Sequence, residues 1–136
     1  MATDTRDVRV LVLTGYGLNC EVETAAGFSR AGATVTSAHL PAVLDKAHEK
    51  DVLVGYHILA FVGGFSFGDH IQSGRVYANR LRFRLGDALA RFVDDGGLAL
   101  GICNGFQTLV CLGLLPALDR KPGTGLAAQS AALVHN

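Results

Sequence analysis

The chain has 136 residues, a length that suits one folded domain, and its 49% hydrophobic content and 17 glycines are typical of a compact α/β protein. Twelve basic residues balance twelve acidic ones, which argues against a nucleic-acid-binding surface, and no apolar run approaches the roughly 18 residues of a membrane span. A polar start without a signal-peptide region, and three cysteines in no paired spacing, favour a cytoplasmic protein without a disulfide framework.

Apolar, β-branched runs alternate with amphipathic stretches, a pattern typical of strands alternating with helices. Asn19 is a suitable N-cap for the first helix, and Gly32 is a suitable stop. In the longest helix, apolar residues recur on one face, and the arginines between positions 80 and 91 fall mostly off it and are expected to be solvated. In chain order, the predicted elements are a strand at 8–13, a helix to about residue 31, a strand at 33–40, a short helix at 42–50, a strand at 57–62, a helix at 77–94, a strand at 98–102 and a helix to about residue 115.

This alternation predicts an α/β fold with an open, mainly parallel sheet, right-handed crossovers and helices against its faces. No element is predicted after Pro116, and the chain carries no internal repeat. Ligands of such sheets bind at the carboxyl ends of the strands. The segments that directly follow the predicted strands are therefore the first place to look for a functional site.

The most informative of these segments is GICNGFQ at 101–107, after the fourth predicted strand. A strand that turns sharply into a helix with a nucleophile at the apex is a nucleophile elbow, here with Cys103 in place of serine. Gly101 and Gly105 are expected to allow the strained turn and a close approach to substrate. The start of a helix also lowers the pKa of a cysteine. The alternative is a small buried cysteine at a strand–helix turn.

Four segments together resemble the glutaminase subunits of phosphoribosylformylglycinamidine synthase, a family of class I glutamine amidotransferases with a flavodoxin-like α/β fold. The segments are VLTGYGLNCE at 12–21, GGFSFGD at 63–69, SGRVYAN at 73–79 and GICNGFQ at 101–107. The resemblance runs from about Val8 to the end of the chain, but it covers only the amino-terminal part of the family's domain. We therefore expect residues 1–136 to form a single, incomplete domain of this type.

The resemblance implies a glutaminase reaction, in which Cys103 attacks the side-chain amide of glutamine, ammonia leaves, and a glutamyl thioester is hydrolysed to glutamate. It implies that the backbone N–H groups of Gly64 and Asn104 hold the oxyanion. The residues that it places in the glutamine-binding site are Gln107, Gly63 and Gly105.

Each of these roles has an alternative. Gly63 and Gly64 could form a plain turn or a phosphate cradle, although a phosphate loop would normally add Lys and Ser or Thr, which are absent here. Gln107 could be an exposed polar residue of a helix. The pattern alone leaves these alternatives open.

The resemblance also implies a larger assembly. A synthetase subunit and its small accessory subunit would be the partners, and the synthetase, rather than this chain, would bind ATP and Mg²⁺. The ammonia would convert formylglycinamide ribonucleotide to the amidine in purine biosynthesis. No metal, cofactor, nucleic acid or membrane is expected to bind this chain.

One departure from the family matters for activity. The family's base and its orienting acid form a His-x-Glu pair, yet none of the five histidines here is followed two positions later by Glu or Asp. His135 is the last histidine, and it is not assigned the base role. The sequence thus looks truncated, and we expect the chain alone not to hydrolyse glutamine at a physiological rate, since loss of a triad base can cost on the order of 10⁶ in rate.

Two further functions stay open at this point: another cysteine-elbow hydrolase on the same fold, and a non-catalytic docking module for the synthetase. Cys20 lacks glycines on both sides and is expected to be structural or to face a partner, and Cys111 is expected in the core. Asp69 is expected to fix its loop or to cap a helix. Without metal-ligand spacing, the expected place for the histidines is the surface or a loop; they are His39, His48, His57 and His70.

Overall fold

A computed structural model describes residues 8–49, 52–69 and 74–134. Within these residues four strands alternate with four α-helices, and a short 3-10 segment, Ser66–Asp69, precedes the third helix. The elements in chain order are β1 (Arg9–Thr14), α1 (Glu21–Arg30), β2 (Thr34–His39), α2 (Leu40–Asp45), β3 (Ile58–Phe61), α3 (Arg75–Asp94), β4 (Leu98–Gly101) and α4 (Asn104–Cys111).

The four strands of the described part form one parallel sheet in the order β2-β1-β3-β4. Its register places Val12 of β1 beside Ala60 of β3, and Ala60 beside Leu100 of β4. The carboxyl ends of all four strands therefore meet at one edge of the sheet. The predicted α/β fold with an open parallel sheet is confirmed.

Alternate residues of a strand point to opposite faces of the sheet, so the central strands contribute to two apolar clusters. The larger cluster lies on what we call the α3 face, where strand residues pack against α2, α3 and α4; they are Leu11, Leu13, Leu59 and Phe61. The smaller lies on the α1 face, where strand residues pack against Ala25 and Phe28 of α1; they are Val10, Val12, Ala60 and Val62. Burial of these near-continuous apolar runs explains why the sequence predicts parallel strands.

The strand β4 is covered less completely than β1 and β3. Leu98 and Leu100 align with Ile58 and Ala60, which places them toward the α1 face, and they are 64% and 41% exposed. Ile102, two residues further on, is 43% exposed. These three residues form an apolar surface that we call the β4 ridge. Strands of parallel sheets are normally covered on both faces, so the β4 ridge is unusual for such a sheet.

Several helix ends differ from the predictions. The N-cap position of α1 is Cys20 rather than Asn19, whose Oδ1 instead accepts a hydrogen bond from the Cys20 thiol at 3.2 Å. The helix α2 ends at Asp45, before the predicted end at residue 50, and Lys50 itself lies outside the described residues. Gly113 ends α4 earlier than predicted, because it adopts a φ of 71° that a helix cannot continue through.

Of the arginines predicted to be solvated, Arg80, Arg84 and Arg91 are exposed, and only Arg82 departs from the prediction. Arg82 is half-buried and donates hydrogen bonds to the carbonyls of Leu112 and Ala127 at 2.5 and 2.8 Å. Arg84 donates to the carbonyl of Leu44 at 3.3 Å. These contacts join α3 to α2 and to the irregular chain after α4. None of the described helices is both long and apolar enough to cross a lipid bilayer.

Candidate active site

Cys103 occupies a strained turn between β4 and α4. Its φ of 52° and ψ of −113° are rare for a residue with a β-carbon, and its side chain is exposed. Strain of this kind persists only where the surrounding structure holds it, and it concentrates at functional sites. The predicted elbow geometry is therefore present, with an accessible thiol at its apex.

The glycines that flank Cys103 have a different role from the one expected. Neither Gly101 nor Gly105 has a positive φ, so the strained turn is made by Cys103 itself. A Cβ added at Gly105 would overlap the carbonyl oxygen of Phe61, and one added at Gly101 would lie 2.8 Å from the carbonyl group of Gly105. The two glycines thus allow α4 to pack directly against the ends of β3 and β4.

The segment after β3 lies against the elbow. A Cβ added at Gly63 would be 3.5 Å from the Cβ of Cys103 and 3.5 Å from the Sγ of Cys20. Gly64 has a φ of 134°, and a Cβ there would come within 2.7 Å of the backbone of Gly17. Gly64 therefore requires glycine for its conformation and for space, whereas a Cβ at Gly63 would make only ordinary van der Waals contacts with the elbow.

A short antiparallel ladder joins this segment to the loop after β1. The N–H of Asn19 donates to the carbonyl of Gly63 at 3.1 Å, and the N–H of Phe65 donates to the carbonyl of Gly17 at 3.0 Å. In this pattern Leu18 and Gly64 face each other as a pair that does not itself form the ladder's hydrogen bonds. The ladder fixes the backbone around Gly64. Its hydrogen bonds use the N–H groups of Asn19 and Phe65, and not that of Gly64.

The side chain of Asn104 connects the same segment to α4. It is 1% exposed, its Oδ1 accepts a hydrogen bond from the N–H of Ser66 at 3.3 Å, and its Nδ2 donates to the Oε1 of Gln107 at 3.1 Å. Gln107 is half-buried, and its N–H donates to the carbonyl of Cys103 at 3.1 Å. Sequence reasoning considered only the backbone of Asn104, because nothing in the local pattern indicates a contact 38 residues away in the chain.

The structure therefore brings all six predicted site residues to the carboxyl edge of the sheet. They are Cys103, Gly63, Gly64, Asn104, Gly105 and Gln107. Two backbone segments, 63–66 and 103–107, and the Cys103 thiol meet at this edge.

The other two cysteines differ in their surroundings. Cys20 is half-exposed at the start of α1, beside Gly63, so it lies next to the site rather than far from it. Cys111 is 8% exposed within the larger apolar cluster, as predicted, and burial raises the pKa of its thiol. For Asp69 only the backbone is described, at the end of the 3-10 segment, and the role of its side chain stays a prediction.

Of the three described histidines, His48 is exposed in the turn after α2, as predicted, and the other two lie away from Cys103. His39 ends β2, which is separated from β4 by three strand spacings, about 14 Å. His57 lies at the amino end of β3, where its Nδ1 accepts a hydrogen bond from the N–H of Arg9 at 3.0 Å. His70 and His135, like Ser73 of the third motif segment, lie outside the described residues.

Comparison with known proteins agrees with this geometry. A family model described as a CobB/CobQ-like glutamine amidotransferase domain matches residues 7–136. Subunit PurQ of phosphoribosylformylglycinamidine synthase from Methanococcus maripaludis is 46% identical over 113 residues, and the PurQ subunit from Dehalococcoides mccartyi is 44% identical over 109 residues. The solved structure of PurLQS from Thermotoga maritima is similar, with a TM-score of 0.64 and 30% sequence identity.

These similarities cover most of this chain but less than half of the matched proteins. The two relatives are matched over 82% and 80% of this chain, and over 40% and 42% of their own lengths. The Thermotoga maritima structure is matched over 80% of this chain and 46% of that chain. The chain thus spans about two fifths of the length of these two relatives.

Proposed function

Because the chain belongs to the family of CobB/CobQ-like glutamine amidotransferase domains, we propose that it is the nucleophile-bearing part of a glutaminase that supplies ammonia to phosphoribosylformylglycinamidine synthase. The observation that carries the proposal is the strained, exposed Cys103 beside the Gly63–Gly64 segment. The similarity to PurQ subunits selects the purine pathway among the possible uses of ammonia.

In the proposed reaction, the Cys103 thiolate attacks the side-chain amide carbon of glutamine and forms a tetrahedral oxyanion. The C–N bond then breaks, the nitrogen takes a proton and leaves as ammonia, and a glutamyl thioester remains on Cys103. Water attacks this thioester through a second oxyanion, which releases glutamate and restores the thiolate. Each half of the reaction therefore places negative charge on the same oxygen.

The backbone N–H groups of Gly64 and Asn104 are the proposed donors to that oxygen. They belong to the two segments that meet at Cys103, one fixed by the ladder to the loop after β1 and the other by the start of α4. The Asn104 side chain links the two segments through the N–H of Ser66. One oxyanion donor is worth about 10²–10³ in rate, so this prior alignment matters for catalysis.

We propose that the general base is not among the residues of this sequence. No histidine is followed two positions later by an acidic residue. Of the described histidines, His39 lies on a distant strand, His48 in the exposed turn after α2, and His57 at the opposite edge of the sheet. The β4 ridge lies on the strand that leads directly into Cys103. Residues that complete the site would be expected to approach from this side.

The proposed partners follow from the relatives. The PurQ proteins are subunits of a synthase, and the Thermotoga maritima structure is named as PurLQS. We propose that a synthetase subunit receives the ammonia and binds ATP and Mg²⁺, with a small accessory subunit in the same assembly. The ammonia would convert formylglycinamide ribonucleotide to its amidine.

Ammonia release from glutamine tests this function. We expect the chain alone to release no more ammonia than its Cys103→Ala variant, because the base is missing. Addition of the synthetase and of a separate polypeptide with the carboxyl-terminal part of the Methanococcus maripaludis relative is expected to restore release that depends on Cys103. Steady, Cys103-dependent release by the chain alone would contradict the proposal about the base. Complementation that binds but restores no activity would favour a docking module instead.

A further inference from the structure

Two stacked rings and an arginine beside them lie next to the candidate active site. The rings of Tyr16 and Phe67 are stacked, with centroids 4.2 Å apart and planes 22° from parallel. The guanidinium carbon of Arg80 lies 5.1 Å from the Tyr16 centroid and 5.0 Å from the Phe67 centroid, within the range of cation–π attraction. Arg80 also donates a hydrogen bond to the Tyr16 hydroxyl at 3.1 Å. We call these three residues the arginine clamp.

The two aromatic residues themselves have strained backbone conformations. Tyr16 and Phe67 both have a φ of 55°, although each carries a bulky side chain that disfavours this region. The N–H of Phe67 donates to the carbonyl of Tyr16 at 2.6 Å, so the two strained residues are also bonded to each other. Such a conformation persists only where the surrounding contacts determine it.

The clamp extends the ladder that fixes Gly64. Tyr16 directly precedes Gly17, whose carbonyl accepts the N–H of Phe65, and Phe67 lies three residues after Gly64. The ladder holds the amino-terminal side of the 63–69 loop, and the clamp holds its carboxyl-terminal side. The position of Gly64 relative to Cys103 therefore depends on both.

The third member of the clamp comes from a rigid element. Arg80 lies on α3, whose neighbouring residues Tyr77 and Leu81 are 2% and 0% exposed in the main core. Arginine suits this position because its planar guanidinium can lie over an aromatic face while its N–H groups still donate. Arg80 thus connects the core-packed α3 to both loops at the site.

We propose that Arg80, acting through the stacked rings of Tyr16 and Phe67, is a positioning residue that holds the 63–69 loop, and with it the Gly64 N–H, against the Cys103 elbow. Its consequence for catalysis rests on the proposed glutaminase function. Its consequence for the conformation of the loop does not, so the two can be tested separately.

The first experiment measures loop conformation by amide hydrogen exchange in the whole chain. Arg80→Met is expected to speed exchange of the Phe65 and Phe67 amides about two- to fivefold, the effect of losing one cation–π contact at an exposed site. Arg80→Lys, which keeps the charge, is expected to restore part of the protection. The amides of Val10 and Val12 in β1 report whether the sheet stays folded, and Arg91→Met, which removes an arginine three turns further along α3, is the matched control.

The second experiment measures the rate at which Cys103 is alkylated. Alkylation of Cys103 by the chloroketone analogue of glutamine places a carbonyl where the oxyanion would form, while iodoacetamide tests only the thiol. Arg80→Met is expected to lower the maximal rate of chloroketone labelling by about ten- to a hundredfold, because a misplacement of about 1 Å can cost about 10² in rate. The chloroketone concentration for half-maximal labelling and the iodoacetamide rate are expected to change little.

The outcomes separate the two proposals. Unchanged exchange at Phe65 and Phe67 in Arg80→Met would overturn the positioning role, whatever the labelling shows. If Arg80→Met also loses protection in β1, Tyr16→Phe, which keeps the stack but removes the hydroxyl that Arg80 binds, is the deciding variant, and unchanged exchange there would overturn the role. Chloroketone labelling of the unmodified chain that does not saturate would count against the glutaminase function but leave the exchange result valid.

Discussion

At the carboxyl edge of the sheet, strained backbone occurs at residues that carry an aromatic ring or the candidate nucleophile. Tyr16, Phe67 and Cys103 have φ values of 55°, 55° and 52°. Residues held in such sparsely populated regions cost about 1–3 kcal/mol each, so three of them around one site represent a substantial local cost. The glycines beside Cys103, by contrast, are needed for space rather than for φ. The strained backbone of Cys103 and the close packing at the two glycines together determine where the Cys103 thiol lies.

Two glycine substitutions test the space argument. Gly105→Ala is expected to destabilise the fold by about 1–3 kcal/mol, because the new Cβ would overlap the carbonyl oxygen of Phe61. Gly27→Ala, in the interior of α1 with nothing within 4 Å of the new Cβ, is expected to stabilise it by about 0.5–1 kcal/mol. Urea unfolding of both variants would measure this. A shift of both midpoints in the same direction would contradict the account.

The sequence was sufficient to predict the residues of the elbow, but not all of their roles. The Gly-x-Cys-x-Gly pattern after an apolar run indicates a strand–turn–helix, because few other contexts need that spacing. The contact between Asn104 and Ser66 and the arginine clamp of Tyr16, Phe67 and Arg80 join distant parts of the chain, and no local pattern indicates them. They arise from tertiary packing, which is why they became visible only in the structure.

At the scale of elements, the order of strands and helices follows from sequence periodicity, whereas the helix ends do not. The end of α4 is an example: the N–H of Leu114 donates to the carbonyl of Leu109 at 3.1 Å, and the N–H of Gly113 donates to that of Val110 at 3.0 Å. This is a Schellman motif with Gly113 at its left-handed position. The glycine is the feature of the sequence from which the end of α4 could have been predicted. The central strands β1 and β3 were predictable because burial on both faces selects apolar runs.

The irregular chain after α4 is held to the end of α3 by a carboxylate. The Oδ2 of Asp94 accepts a hydrogen bond from the N–H of Gly123 at 2.9 Å, and its Oδ1 lies 2.7 Å from the guanidinium of Arg120. Arg120 also donates to the carbonyl of Ala90 at 3.1 Å. The pKa of the Asp94 carboxyl is lowered mainly by the hydrogen bond from the Gly123 N–H, and to a smaller extent by Arg120.

A pH dependence follows from this contact. Because the folded-state pKa of Asp94 is depressed, its contribution to stability is present above the unfolded value of about 3.9 and is lost as the pH falls through the folded value. Asp94→Asn is therefore expected to be less stable than the unmodified chain at pH 7, with the difference shrinking below about pH 4. Thermal unfolding across pH would measure it, with Asp87→Asn on the same helix as control. A difference that stays constant with pH would contradict the assignment.

At the scale of the whole molecule, the β4 ridge is the least covered apolar surface of the sheet. Leu98, Leu100 and Ile102 are 64%, 41% and 43% exposed on a strand that pairs on one side with β3. Exposed apolar edge strands favour association between copies of a chain. The chain spans about two fifths of the length of the two relatives.

The ridge predicts concentration-dependent self-association. Leu100→Lys is expected to reduce association without loss of stability, because it places a charge on the apolar ridge at a side chain that is already 41% exposed. Phe83→Lys, at a residue 84% exposed on α3, which packs on the other face of the sheet, is the control and is expected to leave association unchanged. Sedimentation at several concentrations would measure it. Equal association of the chain and its Leu100→Lys variant would show that the ridge is not responsible.

The central claim is that Cys103 is a thiol positioned to attack glutamine. The most direct measurement is peptide mass spectrometry after reaction with the chloroketone analogue of glutamine, with and without excess glutamine. The account predicts saturable label on Cys103, slowed by glutamine, and little on Cys20, which is half-exposed beside it, or on the buried Cys111. Equal label on Cys20 and Cys103, unaffected by glutamine, would contradict it.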